Sequence, residues 1–251
     1  MPFCVAVLAS MSCAAALSVV SPPASLRNTY FAVRHGQSTA NVANIISSNP
    51  ILGSNAHELT PLGKVQALEA GESLWQALEP FGFGLENVAL YSSNFTRARE
   101  TKELVACALE RRWQACTGLF DAPPLRSGVL GALRERDFGK LDGKNTGAYD
   151  VVWPRDLQDA FDETDGVESV ASVCARLSKM VEMLEKRHDG DAIALVAHAD
   201  VIQIFQLWFG HADVRTFSSY RFKNGEVRLC DAKGLSLPKP APMQSQAGVA
   251  A

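Results

Sequence analysis

The sequence lacks the features that mark several protein classes. Its 251 residues carry 24 Lys and Arg against 27 Asp and Glu, so no basic excess is available for broad contact with nucleic-acid phosphates. None of the six cysteines forms a C-x-x-C pair, which removes the usual support for a zinc ribbon or a thioredoxin-type redox site. Composition is otherwise ordinary for a globular protein, with 47% hydrophobic and 20% charged residues. We therefore expect a folded domain with no nucleic-acid partner.

The first 26 residues contain no charged side chain. An apolar run from Phe3 to Val20 is followed by Ser-Pro-Pro-Ala-Ser at 21–25, a pattern typical of a leader for an organelle such as a plastid, or for secretion. Because the basic residues of such leaders are also missing, a disordered tail on a cytoplasmic enzyme stays open. The run is short and rich in Ser for a membrane anchor, and no other stretch reaches spanning length, so we expect no stable membrane association of the folded domain.

The rest of the chain is predicted to form one domain over 27–233, followed by a disordered, Pro-containing tail over 234–251. Within the domain, β-prone runs alternate with segments of helical periodicity, and this alternation favours an α/β sheet covered by helices on both faces. The predicted strands are Thr29–Val33, Asn87–Ser92, Leu130–Arg134 and Ala192–Ala197, with a terminal hairpin at Asn224-Gly225. The predicted helices begin at Thr60, Arg97, Ser169 and Asp200, and apolar Leu62 and Val65 belong to the periodic pattern of the first.

Reactive side chains follow three of these predicted strands. Arg34 and His35 end the first, Arg97 lies just after the second, and His198 follows the fourth. Since ligands of α/β sheets bind at the carboxyl ends of the strands, we expect these groups to share one site.

The residue types at those ends suit phosphoryl transfer. Arg binds phosphate through its planar fork, and a neutral imidazole is a nucleophile toward phosphorus. Neighbouring Arg charges keep His35 neutral, and Glu135 is a candidate general acid. Arg134 and Arg136 flank Glu135, so a surface ion pair is the alternative for this residue, and Asp137 is the competing carboxylate.

The sequence resembles the histidine phosphatase superfamily, in its phosphoglycerate mutase-like branch, over about residues 29–210. The resemblance is carried by five motifs in order: Arg34-His35-Gly36-Gln37-Ser38-x-x-Asn41, Leu59-Thr60-Pro61-Leu62-Gly63-x-x-Gln66-Ala67, Ser92-Ser93-x-x-x-Arg97-Ala98-x-x-Thr101, Leu133-x-Glu135-x-x-Phe138-Gly139-x-Leu141-x-Gly143 and Val196-Ala197-His198.

The resemblance implies a three-layer α/β/α sandwich with a mixed, mostly parallel central sheet. It implies that His35 is the nucleophile and passes through a phosphohistidine, and that Arg34, Arg97 and His198 bind the phosphoryl group. Asn41 would contact the phosphate or the substrate at the pocket mouth. Glu135 would donate a proton and then activate water, and no metal or organic cofactor is expected.

The residue after His198 departs from the family pattern, which usually has Gly there. Ala199 would be strained if that position needs a positive φ. The next residue, Asp200, either adds a negative charge that rejects highly anionic substrates or serves only as the N-cap of the following helix.

A phosphatase acting on a small phosphorylated metabolite is the favoured function. A mutase needs extra cations around the pocket, whereas the segment after His198 has no Arg and Arg111-Arg112 lie in a helix far from Glu135. A mutase, or a catalytically weak binding or scaffold member, remains the alternative. We expect loops 42–58 and 139–168 to determine the substrate specificity. The oligomeric state stays open, with a homodimer as one alternative.

Overall fold

The computed structural model describes residues 18–242 and contains a five-stranded sheet. Its strands have the spatial order β3-β2-β4-β1-β5, and β5 alone runs antiparallel, against β1. The strands are β1 (Thr29–Arg34), β2 (Val88–Ser92), β3 (Arg126–Val129), β4 (Ala192–Ala197) and β5 (Val227–Cys230). This arrangement confirms the predicted mixed, mostly parallel sheet.

Helices cover both faces of the sheet. The helices are α1 (Thr39–Val42), α2 (Pro50–Gly53), α3 (Pro61–Leu78), α4 (Thr96–Thr117), α5 (Tyr149–Gln158), α6 (Val170–Arg187) and α7 (Ala199–Phe209). One apolar cluster joins α3 and α4 to one face of the sheet, and a second joins α6 and α7 to the other. The three layers α/β/α are therefore those that the sequence predicts.

The central strand β4 is buried at every position, as expected for a parallel strand packed on both sides. Its register aligns Ala197 with Arg34 of β1 and Val196 with Ser92 of β2. The carboxyl ends of these three strands therefore lie level with one another, and the residues that follow them meet at one edge of the sheet.

Helix α3 begins as predicted, with the Thr60 hydroxyl accepting a hydrogen bond from the Gly63 amide and Pro61 at the first helical position. Its predicted apolar pattern coincides with the fully buried face only at Leu78, whereas Leu68 and Trp75 are half-buried. Leu62 and Val65 are 52% and 50% exposed. The buried face is instead built largely from small residues, which allow α4 to pack closely: Gly63, Ala67, Ala70, Gly71, Leu74 and Leu78.

Two predicted strands are wrong in detail. The extended segment lies at Arg126–Val129, ahead of the predicted Leu130–Arg134, where Gly131–Leu133 instead forms a 3₁₀ turn. Strand β3 is an edge strand with mostly exposed residues, so it lacks an apolar pattern. Asn224-Gly225 does form a turn, with Gly225 at φ 74°, but the segment before it is not a strand, and β5 pairs with β1.

Both ends of the described chain contact the domain beyond the predicted bounds of 27–233. The Trp208 indole donates a hydrogen bond to the Val20 carbonyl at 2.6 Å, and the Ala241 amide donates to the Ser219 carbonyl at 2.8 Å. The predicted leader lies mostly within 1–17, outside the described residues, as do 243–251 of the predicted tail. Between residues 18 and 242, no helix combines the length and the apolar character needed to cross a membrane.

Candidate active site

A cavity of about 230 Å³ opens at the level carboxyl ends of β1, β2 and β4. Residues from both predicted specificity loops line it, including Asn44, Ile45 and Ser47 from 42–58 and Thr146, Tyr149 and Trp153 from 139–168. The predicted site residues that line it are Arg34, His35, Asn41, Arg97 and Glu135.

The hydrogen-bond partners of the two ring nitrogens of His35 fix its tautomer. Nδ1 lies 2.7 Å from the Gly36 carbonyl oxygen, which can only accept, so Nδ1 carries the proton. Nε2 then has a lone pair, and it accepts a hydrogen bond from Arg97 Nε at 3.2 Å. Burial, together with the charges of Arg97 and Arg34, lowers the pKa of His35 well below its ordinary value. The imidazole is therefore neutral near pH 7, with Nε2 available as a nucleophile.

Two guanidinium groups flank His35. Arg97, in the first turn of α4, donates from Nη2 to the Ser47 carbonyl at 2.9 Å and from Nη1 to the Ser47 hydroxyl at 3.2 Å. Arg34 donates to the Phe222 carbonyl at 2.7 Å, while its buried Nε makes no hydrogen bond within the described structure. Burial lowers the pKa of Arg97 to about 10, so the group stays charged at neutral pH. Together these cations can hold a dianionic phosphoryl group.

His198 lies behind His35 and is completely buried. The two rings are 5.2 Å apart between centroids, in an edge-to-face arrangement. His198 Nε2 contacts the Ser93 hydroxyl at 2.8 Å, and its Nδ1 is buried without a hydrogen-bond partner in the described structure. His198 is not among the residues that line the cavity, so its predicted phosphoryl contact stays a prediction.

Glu135 enters the cavity from the loop after β3. Its Oε1 accepts a hydrogen bond from the Arg136 amide at 2.9 Å, and the side chain is nearly buried. Burial and the nearby Asp200 carboxylate raise the pKa of Glu135 to about 7, against the opposing effect of Arg97 and Arg34. A carboxyl group in this state can both donate and accept a proton near neutral pH.

The alternatives to Glu135 as the acid find no support in the geometry. Arg134 pairs with Glu168 at 3.1 Å, and Arg136 pairs with Asp156, so neither flanking Arg forms an ion pair with Glu135. Asp137 accepts a hydrogen bond from the Gly139 amide and does not line the cavity.

Arg136, which the surface ion-pair alternative for Glu135 would place at the surface, is fully buried. Both oxygens of Asp156 accept from its guanidinium at 2.7 Å, and Asp200 lies 3.7 Å away. Its guanidinium also lies over the rings of Phe138 and Phe217. This single side chain ties α5 and α7 to the loop that carries Glu135.

Asp200 is not the N-cap of α7. That position belongs to His198, and Asp200 lies in the first turn with its Oδ2 accepting from Trp153 Nε1 at 3.2 Å. Asp200 lines the cavity, and burial raises its pKa. Ala199 is absent from the residues with positive φ, so it carries no left-handed strain.

Asn41 lines the cavity mouth and also closes a capping box at α1. Its Oδ1 accepts from the Ser38 amide at 2.9 Å and the Ser38 hydroxyl at 3.0 Å. Asn224 Nδ2 approaches the same oxygen at 3.5 Å. The amino group of Asn41, which can only donate, is therefore the part suited to contact an anion.

The loop that carries His35 is fixed by a close approach of two backbones. A Cβ on Gly36 would collide with the Gly63 carbonyl, and a Cβ on Gly63 would collide with the Gln37 carbonyl. Only glycine fits at either position, so the N-terminus of α3 lies directly against the nucleophile loop.

Gln203 and Arg221 also line the cavity, outside both predicted specificity loops, and sequence reasoning did not name them as site residues. Neither belongs to one of the five motifs. Among residues 18–242, no group of three or more His, Cys, Asp or Glu side chains could hold a metal ion.

Comparison with known proteins agrees with this geometry. The sequence pattern of the histidine phosphatase superfamily (branch 1) matches residues 30–234. A metal-independent phosphoserine phosphatase of Arabidopsis thaliana is 26% identical over 175 residues, covering 70% of this chain and 66% of the relative. A 2,3-bisphosphoglycerate-dependent phosphoglycerate mutase of Bartonella bacilliformis is 33% identical over 120 residues, covering 48% of each chain. The matches thus span about two thirds and about half of these two relatives.

The fold is also that of solved structures. A mycobacterial glucosyl-3-phosphoglycerate phosphatase superposes with a TM-score of 0.59 over 80% of this chain and 91% of its own, at 24% identity. Since the family pattern matches about four fifths of the sequence, the chain belongs to the histidine phosphatase superfamily, branch 1.

Proposed function

We propose that the protein hydrolyses phosphomonoesters of small metabolites through a phosphohistidine on His35. The observation that carries this proposal is the fixed tautomer of His35, whose Nε2 lone pair lies beside Arg97 in a cavity that also holds a carboxyl group with a pKa of about 7. The cavity volume of about 230 Å³ suits a small phosphorylated molecule.

In the first step, the phosphoryl group binds between Arg34 and Arg97, and Nε2 of His35 attacks phosphorus. The bond from phosphorus to the leaving oxygen breaks as the new P–N bond forms. Arg97 Nε, which donates to Nε2 in the free protein, then donates to a phosphoryl oxygen. Positioning and charge stabilisation supply most of the catalysis in such a reaction.

His198 completes the phosphoryl site in this proposal. The Ser93 hydroxyl accepts from the Phe95 amide at 3.2 Å, and in this proposal it donates its own proton to His198 Nε2, which lies 2.8 Å away. Nδ1 of His198 then carries a proton with no partner in the described structure, and a phosphoryl oxygen is the acceptor it lacks.

Glu135 serves as acid and then as base. Its protonated form donates to the leaving alkoxide, and the resulting carboxylate takes a proton from the water that attacks the phosphohistidine. Hydrolysis releases phosphate and restores neutral His35 and protonated Glu135, so protons balance over the cycle.

Phosphatase activity is better supported than mutase activity. A mutase binds a bisphosphate and needs cations for two phosphoryl groups. Besides Arg34 and Arg97, Arg221 is the one guanidinium among the described residues that lines the cavity. Arg111 and Arg112 lie outside it, on the part of α4 that faces α3, where Arg112 pairs with Glu72 at 2.7 Å. The names of the relatives include both activities, phosphoserine phosphatase and phosphoglycerate mutase.

Replacement of the nucleophile tests the proposal. His35→Ala is expected to lower turnover of p-nitrophenyl phosphate by several orders of magnitude, because the covalent route is removed. Brief reaction with a ³²P-labelled phosphomonoester should leave acid-labile, base-stable label on the unmodified protein alone. His211→Asn, a change of an exposed histidine outside the cavity, serves as the control. Full turnover in His35→Ala would refute the mechanism.

A further inference from the structure

The two predicted specificity loops are joined by backbone hydrogen bonds at one wall of the cavity. The Ile46 amide donates to the Lys144 carbonyl, and the Gly143 amide donates to the Ile46 carbonyl, both at 2.8 Å. The Thr146 amide donates to the Asn44 carbonyl at 2.9 Å, and both of these residues line the cavity. The position of the first loop at this wall therefore depends on the second.

Asp142 holds the next part of loop 42–58 through one carboxylate oxygen. Its Oδ1 accepts from the Ser48 amide at 2.6 Å, the Ser48 hydroxyl at 2.8 Å and the Asn49 amide at 3.0 Å. Ser48 is completely buried, and its hydroxyl also accepts from the Phe138 amide at 3.0 Å. Because hydrogen bonds to an ionised acceptor are stronger than those between neutral groups, this carboxylate fixes the backbone at Ser48.

Ser47 lies between Ile46 and Ser48, the two residues fixed by these contacts, and both of its oxygens accept from Arg97. The carbonyl accepts from Nη2 at 2.9 Å, and the hydroxyl accepts from Nη1 at 3.2 Å. Nε of the same guanidinium donates at 3.2 Å to His35 Nε2, the atom that attacks phosphorus in the proposed reaction. Because a guanidinium is planar, its contacts with Ser47 set the direction in which Nε points.

Asp142 is not among the residues that line the cavity, so it acts on the reaction through other groups. We propose that Asp142 is a positioning residue for phosphoryl transfer. By fixing the backbone of loop 42–58 around Ser47, it orients the guanidinium of Arg97 toward the phosphoryl group. This inference rests on the proposed phosphatase function and adds to it a connection between the specificity loops and phosphoryl binding.

A purely electrostatic role of Asp142 would have the opposite sign. Burial lowers the pKa of Arg97, and the carboxylate of Asp142 is among the charges that oppose this effect. A negative charge near an anion site repels the anion, so removal of the charge alone would strengthen phosphate binding. Loss of positioning weakens phosphate binding instead. The direction of the change therefore separates the two roles.

Binding of inorganic phosphate, measured by isothermal titration calorimetry, tests the positioning without turnover. Asp142→Ala removes the acceptor and should raise the Kd for phosphate at least about fivefold, because a misdirected Arg97 loses a charged hydrogen bond. Asp142→Asn keeps an oxygen for the same three donors and should raise the Kd less. Asp159→Ala, the control, removes an exposed aspartate that accepts from the Phe161 amide in loop 139–168, and should leave the Kd unchanged.

An unchanged or lower Kd in Asp142→Ala, or an equally large rise in Asp142→Asn, would overturn the inference. Turnover of p-nitrophenyl phosphate and its loss in His35→Ala test the phosphatase function separately. An active protein whose phosphate affinity does not respond to Asp142→Ala would refute the positioning role alone. A protein that binds no phosphate would refute the phosphoryl site and both proposals with it.

A double-mutant cycle shows whether the effect of Asp142 passes through Arg97. Lys lacks the planar fork that Ser47 binds, so in an Arg97→Lys background Asp142→Ala should change the Kd by less than about twofold. An equal rise in both backgrounds would show a general effect on the fold and refute the assignment. If Asp142→Ala does not fold, Ser48→Ala removes one hydrogen bond to the same carboxylate. It should raise the Kd with the same dependence on Arg97, and an unchanged Kd would refute the role.

Discussion

Replacing Glu135 by Gln keeps the size and hydrogen bonding of the side chain but removes the proton that it donates. An alkyl phosphate expels a poor leaving group that needs this proton, whereas p-nitrophenolate departs without it. General acid assistance is worth about 10²–10⁴-fold. We therefore expect Glu135→Gln to slow phosphoenzyme formation from an alkyl phosphate by about 10²-fold or more, and to change that from p-nitrophenyl phosphate far less.

The pH dependence of phosphoenzyme formation also tests whether Glu135 is the acid. Burial and Asp200 raise the pKa of Glu135 to about 7, so the donating form is lost as pH rises through 7. Phosphoenzyme formation from the alkyl phosphate should then fall about tenfold per pH unit well above that pKa, as expected for a single titrating acid. Glu135→Gln should remove this alkaline limb.

Single-turnover rates by rapid quench are the measurement, because Glu135 also activates water in the second step and could limit both substrates at steady state. Asp137→Asn is the matched control, a nearby carboxylate outside the cavity, and should leave the ratio of the two rates as it is. Equal slowing of both substrates by Glu135→Gln would refute the acid role. A leaving-group effect in Asp137→Asn would transfer that role to Asp137.

Two further predictions concern stability. Folding raises the pKa of Glu135 from 4.5 to about 7. The free energy of unfolding of the parent protein should therefore fall as the pH rises from 4.5 to 7, because the carboxyl group ionises more readily in the unfolded chain. Glu135→Gln should therefore become more stable than the parent protein over that range, by up to about 3 kcal/mol in urea unfolding, and a constant difference would contradict the raised pKa. Arg136→Met should cost about 3–5 kcal/mol by leaving Asp156 charged and unpaired, and Asp156→Leu in the same chain should recover much of that loss. Unfolding midpoints that show no such recovery would refute the assigned pairing.

Sequence reasoning predicted the site residues that directly follow the carboxyl ends of strands. His35, Arg97 and His198 each follow a strand within five residues, and parallel strands in level register bring them together. Such groups can be recognised locally, since each short segment contains both the strand and the reactive side chain.

The part that escaped prediction depends on contacts between distant segments. Arg136 sits in the charged run Arg134-Glu135-Arg136-Asp137, which is typical of a surface, and only the fold brings Asp156 and Asp200 to it. The buried face of α3 was missed for a related reason. Close packing against α4 selects small residues such as Ala67 and Gly71, and these weigh little in an apolar pattern.

The contact between Gly36 and Gly63 has a consequence for how the protein opens to its substrate. Two backbones that touch without side chains between them leave no gap that a rotamer change could widen, so the nucleophile loop and the start of α3 move as one body. The side of the cavity that carries His35 is consequently expected to keep its shape when substrate binds. Any adjustment of the cavity to a bound substrate is therefore expected in loops 42–58 and 139–168, where the Ser47 carbonyl also accepts a hydrogen bond from Arg97.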